Sequence, residues 1–209
     1  LWWLGEQKDS GLINTFKSFL GSGSDRVKEE AAWALTKTAD ASVLPVLAKM
    51  VASGSDGDAS LAQKCLKCFP GKVVEAVTPY FDSANAAGKE AILGLISQRC
   101  SSANKQLVFG SLFDDSSTVS SAAYKALASV AEPEDIPTLF SLLESSSTNN
   151  REAIQNAVLN ALEGKADAEK YELLTNRKNI VTEANKDCYW PMIIKVADIP
   201  QTLGIMAQN

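Results

Sequence analysis

The chain of 209 residues contains no histidine. That absence removes the side chain most often used as a general base and as a metal ligand near neutral pH. Also missing is any run of about 20 apolar residues, the length a helix needs to cross a hydrocarbon core, so no membrane-spanning helix is expected. The first residues, Leu1 to Glu6, lack the charged start and long apolar middle of an export signal, and any such signal lies outside this soluble chain. Cysteine is sparse. Cys65, Cys68, Cys100 and Cys188 do not make a disulfide framework in a chain this long, which fits a reducing compartment or an oxidising one with buried thiols. Cations are outnumbered, with 20 Lys and Arg against 25 Asp and Glu for a net charge of −5. Non-specific affinity for phosphate comes from a surplus of Lys and Arg, so nucleic acid is not an expected partner. No glycine-rich phosphate loop, serine elbow or spaced ligand cluster occurs either.

What is present is repetition. The stretch Val27 to Leu35 returns in copies starting at Asp58, Ala87, Val119 and Ile154, which are 31, 29, 32 and 35 residues apart. A period in that range marks stacked repeats. With each start counted as zero, positions four, seven and eight fall on one face of a helix turning about 100° per residue. They read Ala31, Ala34 and Leu35; Ala62, Cys65 and Leu66; Ala91, Gly94 and Leu95; Ala123, Ala126 and Leu127; Val158, Ala161 and Leu162. Two small residues and a leucine let a neighbouring helix come close. Helix formers outweigh strand signals throughout, so the expected class is all-α.

Each copy has a first helix before it. Ile13, Phe16, Phe19 and Leu20 recur 31 residues later as Leu44, Leu47, Met50 and Val51, then as Val74, Val77, Tyr80 and Phe81. Gly21 to Asp25 and Ser53 to Asp58 are turns whose aspartates cap the second helix. Pro79 should kink or shorten the third unit's first helix, because it lacks an amide donor. The fourth unit is less regular, with Leu107, Val108, Leu112 and Phe113, and Lys105 where an apolar residue is expected. The fifth returns to form at Ile136, Leu139, Leu142 and Leu143, followed by a turn, Ser145 to Asn150, that is longer by about four residues and reads as solvated loop. About five full repeats thus occupy residues 9–164, and residues 165–209 hold an irregular one interrupted by a turn at Asn176 to Asn179 and by Trp190 with Pro191. Leu1 to Gly5 reads as a helix tail stopped by Gly5, and Asp198, Ile199 and Pro200 echo Asp135, Ile136 and Pro137. Both ends break off inside a repeat, as in a piece of a longer protein.

The Val, Ala, Ala, Leu series at Val27, Ala31, Ala34 and Leu35 and at Val119, Ala123, Ala126 and Leu127, with Leu44-Pro45 and Ile136-Pro137 opening first helices, resembles the HEAT repeats. The variety it resembles is the short bacterial one first described in phycobilisome lyases. The resemblance implies an α-α superhelix: one right-handed solenoid of helical hairpins over residues 1–209, second helices lining its concave side. Such repeats usually carry an arginine beside the valine. Here that place reads Lys28, Ala59, Gly88, Ser120 and Gln155, so the basic ladder that ties adjacent turns should be largely missing.

Positions two and six of each second helix point away from the seam. They are Glu29 and Trp33, Ser60 and Lys64, Lys89 and Leu93, Ser121 and Lys125, and Asn156 and Asn160. One aromatic, one leucine, three lysines and small polar groups suit a protein or peptide surface better than a catalytic cleft. The plainer reading packs Trp33 against the next repeat and leaves the rest solvated. Trp2 and Trp3 similarly read as cover for the end of the seam. Cys65 and Cys68 are spaced as in redox or zinc pairs, but they fall late in a helix and Cys65 holds a core position, so the expected role is structural. Asp56 and Asp58, and Asp114 and Asp115, open helices and read as caps. No catalytic, cofactor or metal site is expected. The function these residues favour is a non-catalytic protein-interaction or scaffolding module. Two other readings are an accessory segment of a larger, exported enzyme and a helical-repeat enzyme like the alkylpurine DNA glycosylases. The acidic balance counts against the second.

Overall fold

The computed structural model describes residues 1–146, 148–175 and 186–196, and among them every regular element is helical. The α-helices are α1 (Trp2–Glu6), α2 (Ile13–Phe19), α3 (Asp25–Thr38), α4 (Leu44–Ser53), α5 (Asp56–Cys68), α6 (Val73–Val77) and α7 (Ala86–Arg99). They continue as α8 (Lys105–Gly110), α9 (Ser117–Val130), α10 (Ile136–Ser145), α11 (Thr148–Ala161), α12 (Asp167–Thr175) and α13 (Lys186–Val196). Two compact units divide the chain, Leu1–Ala126 and Leu127–Asn209. In the first, α3, α5 and α7 pack in sequence while α2, α4 and α6 cover them from the other side. In the second, α10 pairs with α11, and α13 packs on both α11 and α12.

Side chains at the helix starts explain where the chain turns. Asp9 and Asp40 each accept an amide hydrogen bond of 2.8 Å, from Gly11 and Ser42, and each opens a 3-10 turn that leads into a first helix. The Ser42 contacts also hold the Asp40 carboxyl below its ordinary range. Ser55 and Asp58 close a reciprocal capping box on α5, satisfying two amides that the helix leaves without partners. Pro79 has the expected effect: α6 stops at Val77 and a 3-10 turn, Thr78–Tyr80, takes over. At the far end of α5 the Arg99 guanidinium donates to the carbonyls of Leu66 and Lys67 at 3.3 Å and also to Phe69. A cation there favours the negative end of the helix dipole, and it comes from the next repeat.

The small-residue seam is buried as its pattern demands. Ala31, Ala34, Leu35, Ala62, Cys65, Leu66, Ala123, Ala126 and Leu127 are all fully shielded from water. Each leucine so placed contributes about 1.5–3 kcal/mol relative to exposure. Burial pushes the Cys65 thiol up to about 11, which keeps it neutral and inert near pH 7. Cys68, three residues on, is exposed, so the two thiols sit in different surroundings.

The structure corrects several expectations. Gly5 does not stop α1: it lies inside the helix, where a Cβ would come within 2.6 Å of the Ala34 carbonyl oxygen, so its role is close packing on α3. Trp3 is 66% exposed and covers no seam. After α10 the extra residues do not form a loop, because α11 begins at Thr148 and gains a further turn at its N-terminus. Pro191 does not interrupt its helix and sits inside α13. The segment Asn176 to Asn179 and the echo at Asp198 to Pro200 lie outside the described residues.

The most consequential correction concerns the register of the third repeat. Along α7 the buried residues are Gly88, Ala91, Ile92, Leu93, Leu95 and Ile96. The other second helices bury positions four, seven and eight, and α7 matches them only if its copy starts at Gly88, which puts Ile92, Leu95 and Ile96 in those places. The first four starts then become 27, 58, 88 and 119, separated by 31, 30 and 31 residues. In this register Lys89 stands at position one, in line with Lys28. Both lysines bridge to the next repeat, Lys28 to Asp58 at 2.8 Å and Lys89 to Asp114 at 3.0 Å. Position one also supplies Gln155, whose amide donates to the Cys188 carbonyl at 2.8 Å in the second unit. Rungs therefore stand at three of the five places, on two lysines and a glutamine in place of arginine, while Ala59 has no polar side chain to offer and Ser120 donates to Leu112 within its own repeat.

Candidate functional site

In the first unit the exposed ridge of the second helices is built from positions two and six in the corrected register. Glu29 is exposed and Trp33 half-buried on α3; Ser60 and Lys64 are exposed on α5, as are Ser121 and Lys125 on α9. On α7 the ridge is Glu90 and Gly94. Two of the residues expected there do not belong to it: Leu93 is 0% exposed, and Lys89 is held by Asp114 and lies over the Phe81 ring, 5.6 Å from its centroid. The Ala91 and Gly94 pair imitated the small-residue signature one residue out of phase, which turned α7 by about 100° in the sequence reading. In the second unit Asn156 is half-buried, and the exposed Asn160 donates to the Ala128 carbonyl at 3.1 Å, which ties it to α9.

Because Gly94 has no side chain, the ridge dips over α7. The resulting groove has a volume of about 650 Å³. Gln63 and Lys67 of α5 form one wall, Glu90, Gly94 and Ser97 of α7 the floor, and Ser117, Thr118, Ser121, Ala122 and Lys125 of α9 the other wall. The Gln63 amide donates to the Ala91 carbonyl at 3.0 Å, crossing from α5 to α7 beside the dip. A Cβ on Gly94 would lie 2.5 Å from that amide nitrogen, so the glycine and the glutamine share one space. Lys67, Glu90, Ser97, Ser117 and Thr118 were not singled out from the sequence. The nearly equal spacing of the first four repeat starts is the signal that would have found Glu90. A smaller hollow of about 410 Å³ lies on α3 against Arg26, Glu29, Glu30 and Trp33.

The carboxylates that might suggest acid-base or metal chemistry are engaged structurally. The Lys28 ammonium, with Ser55, holds the Asp58 carboxyl below its usual 3.8, and Asp58 in turn raises Lys28 above 10.5. Asp114 is likewise lowered, first by the Ser116 amide and then by Lys89. A carboxyl lowered in the folded state stabilises the fold above its unfolded value and loses that contribution as pH falls through the folded value. The first unit is therefore expected to lose thermal stability below about pH 4. Asp58→Asn should melt lower at pH 7 and show a smaller further loss on acidification; a variant with the same acid slope as the parent would show that the Lys28 pair is not responsible. Among the described residues, no group of three or more Cys, Asp or Glu is placed to hold a metal ion. None of the described helices is long and apolar enough to cross a membrane.

A family model described as HEAT repeats matches residues 1–67. No curated protein matches the chain. Among solved structures, the complex of CpcE and CpcF of phycocyanin lyase from Nostoc sp. PCC7120 overlays with a TM-score of 0.43 at 18% identity, covering 94% of this chain and 87% of that one. So loose an overlay carries no argument about what this chain does. The family match places HEAT repeats in residues 1–67, and beyond them the chain continues in paired helices with the same buried small-residue and leucine seam.

Proposed function

We propose that the first unit is a non-catalytic docking module that holds a protein or peptide segment along the exposed ridge of α3, α5, α7 and α9. The observation that carries this reading is the groove over Gly94, where three consecutive second helices present side chains to one recess. Glutamine, hydroxyl and charged groups around a glycine floor suit hydrogen bonding to a main chain laid across the helices. Trp33, half-buried at the α3 end of the same ridge, supplies the kind of aromatic anchor on which binding energy concentrates. Catalysis is a poorer fit, since the chain contains no histidine and Asp58 and Asp114 are committed to caps and ion pairs.

The test is to pan a random-peptide display library against the chain and measure the enriched peptides on two variants. Gly94→Trp fills the groove and Trp33→Ala removes the anchor. Binding should weaken by about tenfold or more on Gly94→Trp, the loss of one well-placed contact region. Enriched peptides that bind both variants as tightly as the parent would overturn the proposal.

A further inference from the structure

We infer that the groove over Gly94 takes an acidic peptide segment, extended across α5, α7 and α9, with separate carboxylates on Lys67 and Lys125 and a donor from the peptide on Glu90. This rests on the docking function just proposed and specifies its partner. The chain as a whole is acidic, at −5, yet the groove gathers two lysines around one glutamate, and the exposed Lys64 stands about one helical turn before Lys67.

The lysines elsewhere on these helices show what is unusual here. Lys28 and Lys89 are neutralised by Asp58 and Asp114, which lock one repeat to the next. The side chains of Lys67, Glu90 and Lys125 make no ion pair or hydrogen bond among the described residues. Their charges are left for something that arrives from outside, and complementarity of this kind selects partners more than it adds raw affinity.

The order of the charges decides which polyanion fits. Lys67 is on α5, Glu90 on the α7 floor and Lys125 on α9, so the sequence across the groove is positive, negative, positive. A nucleic-acid strand brings a negative phosphate at every step and would set one against Glu90. A peptide brings carboxylates only where its sequence has them, and a main-chain N–H or a basic side chain can meet Glu90. Neighbouring helix axes lie about 8–10 Å apart, so the two lysines stand roughly 16–20 Å apart at their backbones. At about 3.3 Å per residue, an extended peptide spans that with acidic residues about five positions apart. The hydroxyls of Ser117, Thr118 and Ser121 along the α9 wall then face the peptide main chain.

The probe is a fluorescein-labelled peptide of about twelve residues, with two glutamates five apart, a lysine midway and serine, alanine and glycine elsewhere, long enough to cross all three helices. Its mirror has every charge reversed. Fluorescence anisotropy should show the acidic peptide binding at least about tenfold more tightly than the mirror, with the difference shrinking as salt is added. The double variant Lys67→Glu with Lys125→Glu should lose about tenfold or more for the acidic peptide while keeping the parent's helical signal and melt. Adding Glu90→Lys to it reverses all three charges and should transfer the preference to the mirror peptide, a gain that damage to the fold cannot imitate. Equal binding of both peptides by the parent, or binding of neither, would overturn the inference. A single-stranded thymidine oligomer of the same length binding more tightly than the acidic peptide would overturn it in favour of nucleic acid. Library peptides that need the open groove at Gly94 but ignore Lys67→Glu with Lys125→Glu would leave the docking face standing and remove only its acidic occupant.

Discussion

Gly88→Ala is expected to lower the stability of the first unit by about 1–3 kcal/mol, although the same change in an open helix would add up to about 1 kcal/mol. The reason is the approach of α7 to the end of α4. A Cβ at Gly88 would lie 2.7 Å from the Val51 carbonyl oxygen and 3.2 Å from the Ala52 Cα, and both are backbone atoms that cannot swing aside. The contact is pinned by Asn85, whose side-chain oxygen caps the Gly88 amide at 2.8 Å and whose side-chain nitrogen reaches the Gly54 carbonyl at 3.1 Å. Gly57→Ala is the matched control: near the start of α5 a Cβ meets only the Ser55 hydroxyl, at 3.8 Å. That variant should melt at or slightly above the parent, since the substitution there narrows the unfolded ensemble without a clash. Thermal melts of the two variants should move in opposite directions. A Gly88→Ala protein as stable as the parent would mean that α4 and α7 are not in such close contact.

The larger loss is expected from Leu66→Ala, about 2–5 kcal/mol, the range for deleting a fully buried leucine whose surroundings relax only in part. Leu66 is 0% exposed in the row formed by α3, α5 and α7, and its carbonyl also accepts from Arg99. In a stack of repeats each unit is held chiefly by its neighbours, so a cavity in α5 weakens the interfaces with both α3 and α7. Leu4→Ala, at a leucine 37% exposed on α1, should cost under about 1 kcal/mol. Urea unfolding of both variants checks this: similar midpoints would show that the leucine of the repeat is not the centre of the seam.

How far the sequence could be read depended on which interaction fixed each feature. The class and the two-helix unit followed from local patterns. Ala31, Ala34 and Leu35 share a face whatever surrounds them, Pro79 cannot donate to a helix, and Asp58 belongs to the cap of the helix it opens. Those are properties of a few neighbouring residues. The candidate site was read less well. Glu29, Trp33, Ser60, Lys64, Ser121 and Lys125 lie on the ridge, half-buried in the case of Trp33, but Leu93 turned inward, Lys89 is drawn to Asp114, and their places go to Glu90 and Gly94. The error came from matching small residues, because Ala91 and Gly94 fit the signature one position early. Helix rotation is set by what packs on both sides, and no window on α7 alone contains that.

The sequence by itself determined that helices form, where those with clear caps or an early proline start and stop, and which face of most of them is buried, because periodicity, capping and proline chemistry act within a few residues. Only the tertiary structure decided how α7 is turned, that Lys28, Lys89 and Gln155 tie one repeat to the next, and that Lys67, Glu90 and Lys125 meet around Gly94. The three ties join residues 25 to 33 positions apart, and the groove joins residues farther apart still. Such pairs exist only when neighbouring helices have packed, since the close approach that brings them together is itself the product of the buried seam.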